Sequence, residues 1–209
     1  MSPARLLRYT GMTKVMAHMT MSLDGFIADP NDGVEELFGW YDSGDPGAVA
    51  VPSNDPRWTH HTDPASAQLL RSVYATVGAL ICGRRLFDHT QGWGGNHPTG
   101  VPLFVMTHRP PTDWPHPVTF VTDGVQHAIE QAKAAAGDKF VALASPTVTQ
   151  QALDAGLVDE LAVSLVPVLL GNGIPFFANL ASAPIRLSDP EVIEGSTVTH
   201  LRYQVTKPR

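Results

Sequence analysis

Apolar residues in this chain come in short runs that stop abruptly. Ala79-Leu80-Ile81-Cys82 ends at Gly83-Arg84-Arg85, Leu103-Phe104-Val105-Met106 at Thr107-His108-Arg109, and Phe140-Val141-Ala142-Leu143-Ala144 at Ser145-Pro146-Thr147. The first and third pass into helical patterns. Continuous apolar runs suit strands covered on both faces, and strands joined through helices run parallel. Lys14 to Met21 reads as a first strand, in which Val15, Ala17, Met19 and Met21 alternate with Met16, His18 and Thr20. Both sets are largely apolar, so this strand too is expected to be covered twice. Asp159-Glu160-Leu161 opens the longest apolar run, which ends at Gly171 and reads as a strand inside the sheet. Ile185 to Ile193 and Val198 to Thr206 read as late strands, antiparallel through Glu194-Gly195-Ser196.

Between the runs lie helix signals. Asp63 is expected to cap a helix with Pro64 in its first position and Ala65, Leu69 and Val73 on one face. Asp123 is expected to cap a second, with Val125, Ile129 and Ala132 inward and Gly137 after its end. Ser145-Pro146 opens a third, which Gly156 stops, with Val148 and Ala152 on its inner face. Gly39 to Asp63 and Gln91 to Gly100 are rich in turn formers and read as loops. The first is long enough to be a lid or binding loop. The expected fold is α/β, one domain over residues 12–209. Residues 1–11 are expected to be a disordered extension without a signal-peptide core, with Met12 or Met16 as the start.

Composition narrows the function. The 209 residues carry 14 Lys and Arg against 20 Asp and Glu, a net charge of -6, and no basic cluster exceeds Arg84-Arg85, which argues against nucleic acid. No apolar run approaches the ~20 residues of a membrane helix. One cysteine, Cys82, excludes an intrachain disulfide and fits a reducing cytoplasm. It sits in an apolar strand and reads as inert packing. The nine histidines are scattered without a metal-ligand motif, so no metal is expected.

Ligands of parallel sheets bind outside the strand carboxyl ends. Gly83, Arg84 and Arg85 there offer a close backbone approach, a helix N-terminus and two cations, which suits phosphate; a plain turn with solvated arginines is the bland alternative. Arg109, after Thr107 and His108, could grip a phosphate monoester such as the 2′-phosphate of NADPH with two hydrogen bonds. Asp24-Gly25 is first a turn signal; otherwise Asp24 is a cleft carboxylate that anchors a heterocycle or assists proton delivery. Trp40 and Tyr41, with Trp93 in Gly92-Trp93-Gly94-Gly95, either stack on a planar ligand or plug the core. Gly171-Asn172-Gly173 reads as a turn, and there is no P-loop, G-x-S-x-G or G-x-G-x-x-G.

Taken in order, Ser22-Leu23-Asp24-Gly25-Phe26-Ile27-Ala28, Gly83-Arg84-Arg85-Leu86-Phe87, Val105-Met106-Thr107-His108-Arg109, Ala155 to Leu161 and Pro167 to Gly173 resemble the dihydrofolate reductase-like family. The nearest branch is the C-terminal reductase domain of bacterial riboflavin biosynthesis and its stand-alone relatives, over about Lys14 to Val205. The resemblance implies a three-layer α/β/α fold with a mostly parallel central sheet, antiparallel C-terminal strands and a homodimer. It implies NADPH across the strand ends, with Gly83, Arg84 and Arg85 at the phosphate turn, Thr107, His108 and Arg109 beside the 2′-phosphate, and Asp24 as the substrate-side acid. The loop holding Trp40 and Tyr41 would close over the nicotinamide. Where that family has Gly-Gly, this chain has Ala144-Ser145-Pro146; Pro146 supplies no N–H, so Ser145 and Thr147 hydroxyls are the candidate phosphate contacts. The expected function is NADPH-dependent reduction of a planar nitrogen heterocycle (a pteridine, pyrimidine or secondary metabolite) by hydride transfer. The alternative is a non-catalytic pterin-, flavin- or nucleotide-binding protein on the same fold.

Overall fold

The computed structural model describes residues 13–206; the extension expected over residues 1–11 lies outside the described residues. Twelve strands and five α-helices follow in the order β1 (Val15–Ser22), β2 (Phe26–Ala28), α1 (Glu35–Phe38), β3 (Val49–Pro52), β4 (Thr59–Thr62), α2 (Pro64–Thr76), β5 (Val77–Gly83), α3 (Arg84–His89), β6 (Leu103–Met106), β7 (Thr119–Val121), α4 (Val125–Ala136), β8 (Phe140–Leu143), α5 (Pro146–Asp154), β9 (Glu160–Val166), β10 (Ile174–Pro175), β11 (Glu191–Glu194) and β12 (Thr199–Gln204). Eight strands form the main sheet in the order β11-β12-β9-β1-β8-β5-β6-β7. All neighbours from β9 to β7 pair parallel, and β12 and β11 add on antiparallel. Two ribbons, β2 with β10 and β3 with β4, flank it.

Strand alternation builds the layers. Ala79 and Ile81 of β5 join Val15, Ala17, Val141 and Leu143 under Ala128, Ile129 and Ala132 of α4 and Val148 and Ala152 of α5. Leu80 and Cys82 face the other way, with Leu103 and Val105, onto Phe87 of α3 and Val73 of α2. A separate cluster on that second side gathers Trp40, Val51, Ala67, Leu70 and Val198. This is the expected three-layer α/β/α fold, with antiparallel strands at the C-terminal end. Cys82 is fully buried, and burial pushes its thiol up to about 12, which makes it inert packing.

Asp63 caps α2 as expected: its Oδ1 accepts from Ala65 N at 2.9 Å and Ser66 N at 3.0 Å. Asp123 does not cap α4. Gly124 is the cap residue at φ 93°, and the Asp123 carboxylate turns back to Thr122 Oγ1 at 3.0 Å. The Gly39 to Asp63 stretch is not one loop, since it holds a 3-10 turn at Gly39–Tyr41 and the β3–β4 hairpin. Of Ile185 to Ile193, only the part from Glu191 onward is strand, apart from a single bridge between Leu187 and Val205.

Candidate functional site

The strand order turns beside β1: the chain leaves β1 for β5, and leaves β8 across β1 for β9. Such reversals open a crevice at the carboxyl ends of parallel strands. A cavity of about 630 Å³ lies there, in the size range of small-molecule sites. Gly83, Arg84, Arg85, Thr107, His108, Arg109, Ser145 and Thr147 all line it. Sequence reasoning had placed these eight residues on separate strand ends, and the sheet brings them together.

Sheet order sets the polarity of this cavity. Met19, Ile27, Ala28, Val34, Phe38 and Ile174 line it from β1 and the segments beside β1. Gly83 to Arg85 stand over β5, His108 and Arg109 over β6, and Thr122 and Gly124 over β7. From β1 to β6 is three strand steps, about 14 Å, enough for an extended dinucleotide. One side is therefore apolar and the other cationic. The N-termini of α3, α4 and α5 also meet here, through Gly83, Gly124 and Ser145. Each presents unpaired N–H groups and a partial positive charge.

The arginines are not equivalent. Arg84 Nε is bound to Asp88 at 2.7 and 2.8 Å, and its Nη1 donates to the Arg109 carbonyl at 2.7 Å. Arg85 is paired with Asp32, Nε to Oδ1 at 2.8 Å. Asp32 stands at φ 68° in a turn that Asp29 Oδ1 pins by accepting from Asn31 N and Gly33 N. No carboxylate partners Arg109 among the described residues, while its N–H donates to Thr107 Oγ1 at 3.2 Å. Ser145 is buried, and its Oγ accepts from Gly83 N at 2.9 Å. The Gly83 amide is thus engaged by a hydroxyl rather than left free for a ligand.

Four expected residues lie outside the lining. Asp24 is held by its own turn: Ser22 Oγ donates to Oδ1 at 2.6 Å, and the backbone amides of Leu170 and Gly171 donate at 3.1 and 2.7 Å. The Ser22 hydroxyl first, and then those amides, hold its carboxyl below the usual carboxylate range. Asp24 therefore clamps two loops together and stands outside the residues that line the cavity. Asp24→Asn is expected to lower the melting temperature, which thermal melts of the two proteins check. Because the folded carboxyl titrates below its unfolded value, this clamp contributes above the ordinary carboxylate range and is lost as pH falls through the lowered one.

Trp40 is 2% exposed and plugs the core; its Nε1 donates to Thr20 Oγ1 at 3.3 Å. Tyr41 stacks on it with centroids 4.0 Å apart, and burial pushes its hydroxyl far up. Trp93 packs edge-on against His97 at 4.5 Å, in a left-handed turn whose carbonyl Arg57 holds at 2.7 Å. The aromatic residue that does reach the cavity is Phe38, with Val34 one helical turn before it and the buried Leu37 between. That i, i+3, i+4 pattern is legible in the sequence and marks Phe38 as the ring next to the apolar side.

Comparison with known proteins agrees with this architecture. A family model described as the RibD C-terminal domain matches residues 13–201. The uncharacterized protein YwjB of Bacillus subtilis (strain 168) is 24% identical over 170 residues, 81% of this chain and 85% of that one. A protein assigned to riboflavin biosynthesis from Shewanella sp. PV-4 superposes with a TM-score of 0.67 at 23% identity, covering 93% of this chain and all of that one (100%). Dihydrofolate reductase from Enterococcus faecalis, in complex with NADP(H), gives 0.57 at 14% identity over 93% and 97%. The diaminohydroxyphosphoribosylaminopyrimidine deaminase/5-amino-6-(5-phosphoribosylamino)uracil reductase of Thermotoga maritima gives 0.60 at 11% over 93% of this chain and 57% of that one. With nearly its whole described length matched by one family model, the chain belongs to the RibD C-terminal domain family.

Proposed function

We propose that the protein is an NADPH-dependent reductase of a planar nitrogen heterocycle. The observation that carries this reading is the convergence of the α4 and α5 N-termini and Arg109 on one cavity whose other side is apolar. The Enterococcus relative, of the same fold, was solved with NADP(H), and the Thermotoga relative is named as a uracil reductase. The residues fit the cofactor: the starts of α4 and α5, with Thr147, would hold the diphosphate, Arg109 the 2′-phosphate, and Met19, Ile27 and Phe38 the nicotinamide. When bound, the dihydronicotinamide supplies a hydride. The chain's own part is to orient it, exclude water and hold the heterocycle. A cytoplasmic location suits the single buried cysteine. A homodimer belongs to the same proposal: the outermost strand, β11, leaves an open sheet edge with Val192 exposed by 49%.

A non-catalytic binding protein is the second reading, and the Gly83 amide engaged by Ser145 favours it. Titration with NADPH, followed by energy transfer from the four tryptophans, separates the two. Saturation in the micromolar range is expected, with clearly weaker binding of NADH. No saturation at millimolar NADPH would leave the binding protein as the better reading.

A further inference from the structure

The polar half of β1 carries a chain of buried side chains that cofactor binding does not use. Asp63 Oδ2 accepts from Ser66 Oγ at 2.6 Å. Ser66 Oγ meets His200 Nε2 at 2.9 Å, His200 Nδ1 meets Ser164 Oγ at 2.9 Å, and Ser164 Oγ meets His18 Nε2 at 2.9 Å. Ser66, Ser164 and His200 are buried; His18 is half-buried. These residues come from α2, β12, β9 and β1, far apart in sequence.

Counting donors fixes every proton in this chain. Ser66 and Ala65 amides and the Ser66 hydroxyl hold Asp63 below the ordinary range against its burial, so it only accepts. The single Ser66 proton goes to Asp63, so His200 must donate to Ser66 through Nε2. Burial pushes His200 down to about 4, so it is neutral and its Nδ1 accepts the Ser164 proton. Ser164 can then only accept, and His18 must carry its proton on Nε2. Burial first, then the facing His200 and Arg202, push His18 down to about 4. Its Nδ1 is therefore a bare lone pair, and no hydrogen-bond partner meets it among the described residues.

His18 is not itself among the residues that line the cavity, but its neighbours in the sheet are. Ala17 pairs with Leu143 in the β1–β8 register; one residue further along, His18 falls beside Ala144, which lines the cavity, as does Met19 after it. On this side of the sheet the helix layer is split between the cluster around Phe87 and the cluster around Trp40. We propose that His18 is a substrate-binding residue whose Nδ1 accepts a hydrogen bond from an N–H of the heterocycle, with Ser164, His200, Ser66 and Asp63 as positioning residues that lock its tautomer. The proposal rests on the reductase reading and names what that site recognises: a ring that donates, such as an amino- or imino-substituted pteridine or pyrimidine. A ring that offers only acceptors there faces lone pair against lone pair.

The test uses the full chain with labelled histidine, saturated with NADPH. Long-range nitrogen–proton NMR reads the His18 tautomer, and titration reads affinity for 2,4-diaminopteridine, with 2,4-bis(dimethylamino)pteridine, which has no N–H, as control. The expected result is a neutral His18 with its proton on Nε2, whose Nδ1 resonance moves with the diamino probe and not with the control. His18→Phe should weaken the diamino probe by about tenfold or more while NADPH affinity holds. Ser164→Ala, which keeps the ring but unpins it, should give mixed tautomers and a several-fold loss. A proton on Nδ1, equal affinity in His18→Phe, or no binding of the diamino probe at millimolar concentration would overturn the proposal. If the unmodified protein fails to bind NADPH, the reductase reading is what falls. The same titration without cofactor then decides, since an Nδ1 response to the diamino probe supports this assignment and its absence rejects it.

Discussion

Glu160→Ala is expected to lower the unfolding free energy by about 3 kcal/mol, and the melting temperature by about 10 °C. Glu160 is fully buried at the start of β9, paired in register with Met16 and Gln204. Its Oε1 accepts from Lys14 Nζ at 2.9 Å, and its Oε2 from Arg202 Nε at 2.7 Å and from Arg202 Nη2. A buried carboxylate between two cations adds little over an apolar residue of the same shape, because its desolvation offsets the attraction. Removing it alone is costly, because two cations then face each other across a cavity. Lys14 and Arg202 keep 38% and 28% side-chain exposure, so water relieves part of that penalty, and the estimate sits at the low end of the range for broken buried pairs. Urea denaturation checks it. Glu160 lies at the amino end of β9, away from the strand ends that form the cavity, so NADPH affinity of the folded variant should be unchanged. A loss below about 0.5 kcal/mol would show the network to be dispensable.

The same contrast between backbone pattern and side-chain pairing explains what the sequence could reveal. The ends of β5, β6 and β8 were legible because an apolar run that stops at Gly, Thr or Ser is a local signal, and the sheet needed only to align them. Asp63-Pro64 was legible for the same reason. Asp123 misled because Gly124, in a positive-φ conformation, brings the chain to α4 from a direction an aspartate cap does not allow. Asp24 looked like a cleft acid because nothing local announces that the amides of Leu170 and Gly171 lie against it. Trp40 and Tyr41 read as rings that either stack on a ligand or plug the core, and burial goes to the ring whose N–H finds a partner, which Thr20 supplies to Trp40. His18 and Thr20 passed as members of a largely apolar strand face. Their partners, Ser164 and Trp40, come from other elements, and period-two alternation says nothing about such pairs.

Pairing also decides which arginine matters most, and Arg109→Ala is expected to weaken NADPH binding roughly thirtyfold, about 2 kcal/mol, while NADH binding barely changes. The cavity holds three arginines, but Arg84 is committed to Asp88 and the Arg109 carbonyl, and Arg85 to Asp32. A phosphate approaching either would compete with a carboxylate already in place. Arg109 meets no such rival among the described residues, and its backbone is fixed from both sides: Thr107 Oγ1 accepts from its N–H, and Arg84 Nη1 donates to its carbonyl. On the proposed reading its guanidinium would reach the 2′-phosphate with little to surrender, and a charge-assisted pair to phosphate is the strong kind. The site is exposed, so the effect should shrink with added salt, and the NADPH-to-NADH preference of the unmodified protein should fall in parallel. Arg84→Ala should act differently, weakening both cofactors by a few fold, because it loosens the turn rather than removing the 2′-phosphate contact. Equal losses for NADPH and NADH in Arg109→Ala would place the 2′-phosphate elsewhere in the cavity and would make Arg85, released from Asp32, the next residue to test.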